Sequence, residues 1–249
     1  MPDTAQLLVH VIAGFLVAGT IKGLMGMGLP TVAMALLGLG MPPAQAAALT
    51  VLPALATNIW QFTGGPHLGR VLRRLLTLEL GVVAGTFAGI SFLTGAPRAL
   101  STALLGAVLA AYAGANLMNV RFAVRPSRER ILSPLMGLVS GLIAGATGVF
   151  VVPVVPYLAA LDMTREELLQ ALGVSFTVAT IALGTGLAAS GVFTSTLTVS
   201  AAVALAAALA GMALGRRLRG RLQEETFRRA FFYGILCIGL YMAAQAIPA

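Results

Sequence analysis

Cysteine is nearly absent: Cys237 stands alone inside an apolar stretch, which excludes an intramolecular disulfide framework and a cysteine-based metal site. Histidine is almost as scarce. His10 and His67 each lack a cysteine or carboxylate at ligand spacing, so no metal and no cofactor is expected. Acidic residues number eight, and Glu79 alone falls inside an apolar span. A chain without clustered His, Asp or Cys in its membrane segments lacks the nucleophile, base or paired carboxylates that an intramembrane enzyme needs. Charge of any sign is sparse at 10%, while 58% of residues are hydrophobic and mean hydropathy is +0.94, a balance that excludes an ordinary soluble domain. The net charge of +8 raises nucleic acid as a partner, but the arginines sit in short segments between apolar spans, where membrane topology explains them. The first apolar run has no basic leader and no small-residue cleavage site, so no removable signal peptide is expected.

Lysine occurs once. Lys22 lies in Gly19-Thr20-Ile21-Lys22-Gly23-Leu24-Met25-Gly26-Met27-Gly28-Leu29-Pro30, a glycine-studded stretch ended by proline. From Leu7 to Met41 there is no other charge, and this run is well beyond the roughly 20 residues of one crossing. Glycine and proline in its middle weaken helix continuity, which predicts two half-helices meeting inside the membrane. The N-terminus of a half-helix offers unpaired N–H groups and a positive dipole end to an anion. Lys22 adds a full charge there.

The remaining spans are expected at 44–62, 75–93, 99–118, 168–190, 196–214 and 227–246, with a second glycine-rich run at 131–161 broken at Gly145-Ala146-Thr147-Gly148 and followed by Pro153 and Pro156. Sliding the chain by 122 positions puts Gly19, Gly23 and Gly26 on Gly141, Gly145 and Gly148. That repeat divides the chain into a first membrane repeat (1–120), a basic linker (121–130) and a second repeat (131–249). The expected fold class is an all-α polytopic membrane protein of two inverted repeats, each a glycine-rich broken helix or re-entrant hairpin plus about three transmembrane helices. Counting each glycine-rich run as a re-entrant hairpin places fourteen of the fifteen arginines on one side, with Arg98 opposite. Positive-inside bias then makes the basic linkers cytoplasmic and both termini non-cytoplasmic. An unwound full span with a short extra crossing gives the same charge distribution.

Lys22, Gly23, Gly26 and Gly28 of the first break, with Thr147 and Gly148 of the second, are the candidate anion-binding residues. The bland alternatives are a snorkelling lysine, close helix packing by glycine and a threonine bonded to its own backbone. Thr50, Asn58 and Gln61 in the first repeat, and Ser175 and Thr180 in the second, add polar stripes that either line a hydrated pocket or bond helix to helix. Asn58 falls on Thr180 at the repeat offset. Glu79 is either a proton-coupling carboxylate or the partner of Arg73 and Arg74 in an interfacial ion pair. Thr164 with Glu167 reads as a capping box opening a solvated helix. Trp60 reads as an interfacial belt residue, and Asn116 and Asn119 as interfacial.

The two glycine-rich openings, Gly19 to Gly28 and Gly141 to Gly148, each followed by proline and a span of small residues, resemble the sulfite exporter TauE/SafE family of bacterial membrane transporters. The resemblance extends over the whole chain. It implies export across the bacterial inner membrane of a small sulfur-containing anion such as sulfite, sulfoacetate or a related organosulfonate, coupled to an ion gradient. The chain departs from the family pattern at Leu29-Pro30 and at Val149-Phe150, which bears on the substrate. Rival readings are a transporter of another small carboxylate or inorganic anion, and a membrane scaffold subunit. The expected partners are the anion and the lipid bilayer, with no nucleic acid and with homo-oligomer formation left open.

Overall fold

The structure, a computed structural model, describes residues 4–119, 123–220 and 223–245; Arg121 and Arg221 of the basic segments, and both chain ends, lie outside them. Ten helices and no strand are found among the described residues: α1 (Thr4–Met25), α2 (Leu29–Gly38), α3 (Pro43–Thr63), α4 (Leu68–Gly95), α5 (Arg98–Leu117), α6 (Pro126–Thr147), α7 (Val154–Ala159), α8 (Arg165–Ala189), α9 (Ser195–Leu218) and α10 (Glu224–Ala244). Seven of them, α1, α4, α5, α6, α8, α9 and α10, are long and apolar enough to cross a membrane. The chain is an all-α polytopic membrane protein. α3 is as long, at 21 residues, but is not among them; Thr50, Thr57, Asn58 and Gln61 interrupt its apolar run.

The expected half-helices are corrected on their first arm. α1 runs unbroken through Gly19 and Gly23 for 22 residues, about 33 Å at ~1.5 Å per residue, a full crossing. Glycine inside it serves packing: a Cβ at Gly19 or Gly23 would collide with the backbone of Ala208 or Met212 on α9. The break is confined to Gly26–Gly28, where φ is +80° at Gly26 and +99° at Gly28. Such values are open to glycine and strained for other residues. α2 then folds back along α1, with the Gly14 face against Leu37 and His10 Nε2 3.2 Å from the Leu36 carbonyl. The second run repeats the design. α6 starts at Pro126, inside the expected linker, and ends on Gly148 at φ +75°. α7 turns back along it, its Tyr157 hydroxyl 2.7 Å from Ser133 Oγ.

Glycine seams fix the long helices. α1 and α9 run parallel, Gly19 against Ala208 and Gly23 against Met212 and Gly215; α4 and α6 do likewise, with Gly81, Gly85 and Gly89 against Pro134, Leu138 and Leu142. Small residues let backbones approach closely where lipid supplies no hydrophobic drive between helices. α3 crosses α8 antiparallel, with Phe62 at Gly173 and Val51 at Gly184, and α5 meets α10 in the same sense. One end of the bundle gathers the arginines: Arg70 pairs with Glu167 at 3.0 Å, Arg74 grips Glu129 at 2.7 and 2.8 Å, and Arg219 donates to the Leu24 carbonyl at 2.8 Å. The capping box expected at Thr164 and Glu167 is present at this end.

Candidate functional site

Lys22 sits in the last turn of α1 and is only 5% exposed. The Gly19 and Gly23 seam holds that turn against α9, so the lysine side chain faces inward. Its Nζ donates to Asn58 Oδ1 at 2.5 Å, and Asn58 is its sole hydrogen-bond partner among the described residues. Asn58 is fully buried on α3, and its Nδ2 has no partner. A buried ammonium with a single neutral acceptor is an expensive arrangement, and an anion would complete it. The sequence singled out both residues without linking them, because 36 positions separate them and no periodicity connects them.

Glu79 is buried on α4, and its Oε1 accepts the hydroxyl of Ser175 on α8. The expected pairing with Arg73 or Arg74 is corrected: Arg74 takes Glu129 of α6, which lies nearer the end of the bundle. Glu79 Oε2 has no partner, nor has the buried Ser140 Oγ on α6. Ser140 and Ser175 share a slit of about 10 Å³ between α4, α6 and α8, bounded also by Val82 and Phe150.

Thr50, Gly148 and Thr180 line one crevice with Ala47 and Phe150, and it is closed to water, unlike the expected hydrated pocket. Within it the threonine hydroxyls are satisfied by their own helices. Thr50 donates to Ala46, Thr180 to Phe176 and, at the helix end, Thr147 to Ile143, each to a carbonyl four residues back. Gln61 donates to the Leu169 carbonyl at 3.0 Å and leaves its Oε1 unpartnered. The two breaks do not abut. Gly148 lies against Met34 and Ala47, whereas the nearest side chains to Gly28 are Ile21 and Phe231. Gly23 is filled in by the α9 backbone, and Gly26 faces Arg219.

Sequence reasoning missed a cavity of about 400 Å³ beside the first break. Arg165, Arg219 and Arg228 line it with Tyr112, Asn116 and Met27. Those arginines come from the start of α8, the residue that caps α9 and the first turns of α10, so only the fold converges them; their common charge in two separated segments was the available signal. Trp60, 69% exposed, carries the Arg216 guanidinium 5.6 Å from its ring centroid, within cation–π range. No group of three or more His, Cys, Asp or Glu side chains able to hold a metal occurs among the described residues.

A model of one family, described as sulfite exporter TauE/SafE, matches residues 11–242. Comparison with curated proteins and with solved structures returns no match. The match takes in α1 through most of α10, including both breaks, Lys22 and Glu79. The chain belongs to the sulfite exporter TauE/SafE family, a family of membrane transporters.

Proposed function

We propose that the protein is a secondary transporter that exports a small sulfur-containing anion, such as sulfite, sulfoacetate or a related organosulfonate, by alternating access and coupled to an ion gradient. The observation that carries this is Lys22, a buried ammonium whose only partner among the described residues is a neutral amide. A substrate anion supplies the missing charge. The cavity lined by Arg165, Arg219 and Arg228 borders the break that follows Lys22 in the chain and concentrates anions at that end of the bundle. The shut crevice at Thr50, Gly148 and Thr180 is the part of the path that opens toward the opposite end. Chemistry at this site needs no catalytic group, and we assign none.

The halves 1–120 and 131–249, joined by the linker 121–130, act as inverted repeats. Support comes from the order of helices, long, short and three long, which occurs twice, and from the counterparts α3 and α8, and α5 and α10, which cross antiparallel. Repeats of this kind rock against one another around a site between them. The arginine-rich end then faces the cytoplasm of a bacterial cell, and both termini lie on the far side.

The test is flux of ³⁵S-sulfite and of labelled sulfoacetate into liposomes containing the purified protein. Wild type is expected to exchange one or both, and Lys22→Met to lose the exchange while still folding, with a lowered melting temperature, since leaving Asn58 Oδ1 unpartnered costs about 1–3 kcal/mol. Undiminished flux in Lys22→Met overturns the assigned site. Flux of carboxylates or inorganic anions in preference to both probes moves the substrate elsewhere, and no flux at all favours the scaffold.

A further inference from the structure

We propose that Glu79, with Ser140 and Ser175, forms the site that carries the coupling proton, alternately taken up and released as the anion moves; the inference rests on the transport reading above. Glu79 is 7% exposed and Ser140 and Ser175 are 2% exposed. One carboxyl oxygen is engaged by Ser175, and the other, like Ser140 Oγ, has no partner among the described residues. Both serines border a narrow, apolar-lined slit of about 10 Å³. This is a small buried set of oxygen atoms with its bonding incomplete, and buried polar groups left so are costly unless something fills the gap.

No cation among the described residues fills it. The only other titratable residues on the packed helices lie at their basic ends: Arg70, Arg73 and Arg74 on α4, Arg128, Glu129 and Arg130 on α6, and Arg165, Glu166 and Glu167 on α8. α3 carries none. Arg70 and Arg74 are taken by Glu167 and Glu129. A bare metal cation needs a cage of oxygens; a proton needs one free carboxyl oxygen, and Glu79 Oε2 is one. It arrives from water on one face of the membrane, bonds to Oε2, and is returned to water on the other face, with no electron moved.

Phe150 connects this site to the anion path. It is 4% exposed in the second break and bounds both the Ser140–Ser175 slit and the Thr50–Gly148–Thr180 crevice. Opening either space moves the same ring. Occupancy of Glu79 is thereby felt at the crevice through one packed side chain.

The experiment separates exchange from driven transport in liposomes. Sulfoacetate is the probe, because its carboxylate titrates near ~4 and its charge is constant at neutral pH. Wild type is expected to accumulate it under an imposed pH gradient and not under a sodium gradient at equal pH. Glu79→Gln keeps the Ser175 bond and loses the proton site; exchange is expected to survive, while pH-driven accumulation falls by about tenfold or more. Ser175→Ala, a second variant should the first fail to fold, is expected to shift the pH of half-maximal driven transport and leave exchange intact. The proposal is overturned if Glu79→Gln still accumulates the probe under a pH gradient, if it loses exchange as well, if Ser175→Ala leaves the pH profile in place, or if sodium drives the wild type. Absence of exchange in wild type, with either probe, marks failure of the transport reading itself.

Discussion

At the scale of single residues, the decisive fact is that Lys22 is buried against Asn58 without a counter-charge. Changing Asn58 to aspartate would supply that charge from inside the protein. Asn58→Asp is expected to raise the melting temperature and to weaken sulfite- or sulfoacetate-induced thermal stabilisation by about tenfold or more in apparent affinity, because a resident carboxylate competes with the substrate for one ammonium. Unchanged stabilisation by the anion would remove Lys22 from the binding site. Legibility at this scale was uneven. A lone lysine in a charge-free run announces itself, and so does a lone carboxylate in a span. Their partners do not: Asn58 and Ser175 each arrive from another helix, through packing that no local pattern encodes. The threonines mislead for a related reason. A hydroxyl in a membrane helix reaches its own carbonyl four residues back, so Thr50 and Thr180 look polar in sequence yet bring no free donor to the crevice.

At the scale of helices, glycine is the common thread, and it does two different jobs. At Gly26 and Gly148 a positive φ ends a helix and at Gly28 it opens the next, whereas at Gly19, Gly23, Gly85 and Gly141 the missing side chain admits a neighbouring backbone. Sequence alone does not separate these uses, which is why the expected break began at Gly19 and the observed one begins at Gly26. The repeat itself was visible because both uses recur at one spacing. Gly85→Val is expected to lower the melting temperature sharply, since overpacking costs about 1–3 kcal/mol and the obstacle here is the Leu138 carbonyl, which cannot step aside. Gly114→Val on α5, where nothing lies within 4 Å of the added carbon, is the control and is expected to melt like wild type. Equal losses at the two positions would mean that the α4–α6 seam has no special part in stability.

For the whole molecule, sidedness depends on how many times the chain crosses the membrane before each basic segment. α1 and α2 form a hairpin with one long and one short arm, so the hairpin returns the chain toward the end at which α1 starts: Gly40 lies beside His10. If the short arm counts as a return, α3 starts on the same side as the chain itself, and Arg98 belongs there too, opposite Arg128. Residue labelling decides this. In a Cys237→Ser background, which removes the single native thiol, Gln6→Cys and Arg98→Cys are expected to react with a membrane-impermeant maleimide in intact cells, and Arg128→Cys only after permeabilisation. Had the hairpin been one crossing, Gln6→Cys would label with Arg128→Cys instead. That outcome would place the N-terminus among the arginines, undo the antiparallel relation of the two halves to the membrane, and leave the shared packing of α3 on α8 without the functional symmetry assigned to it.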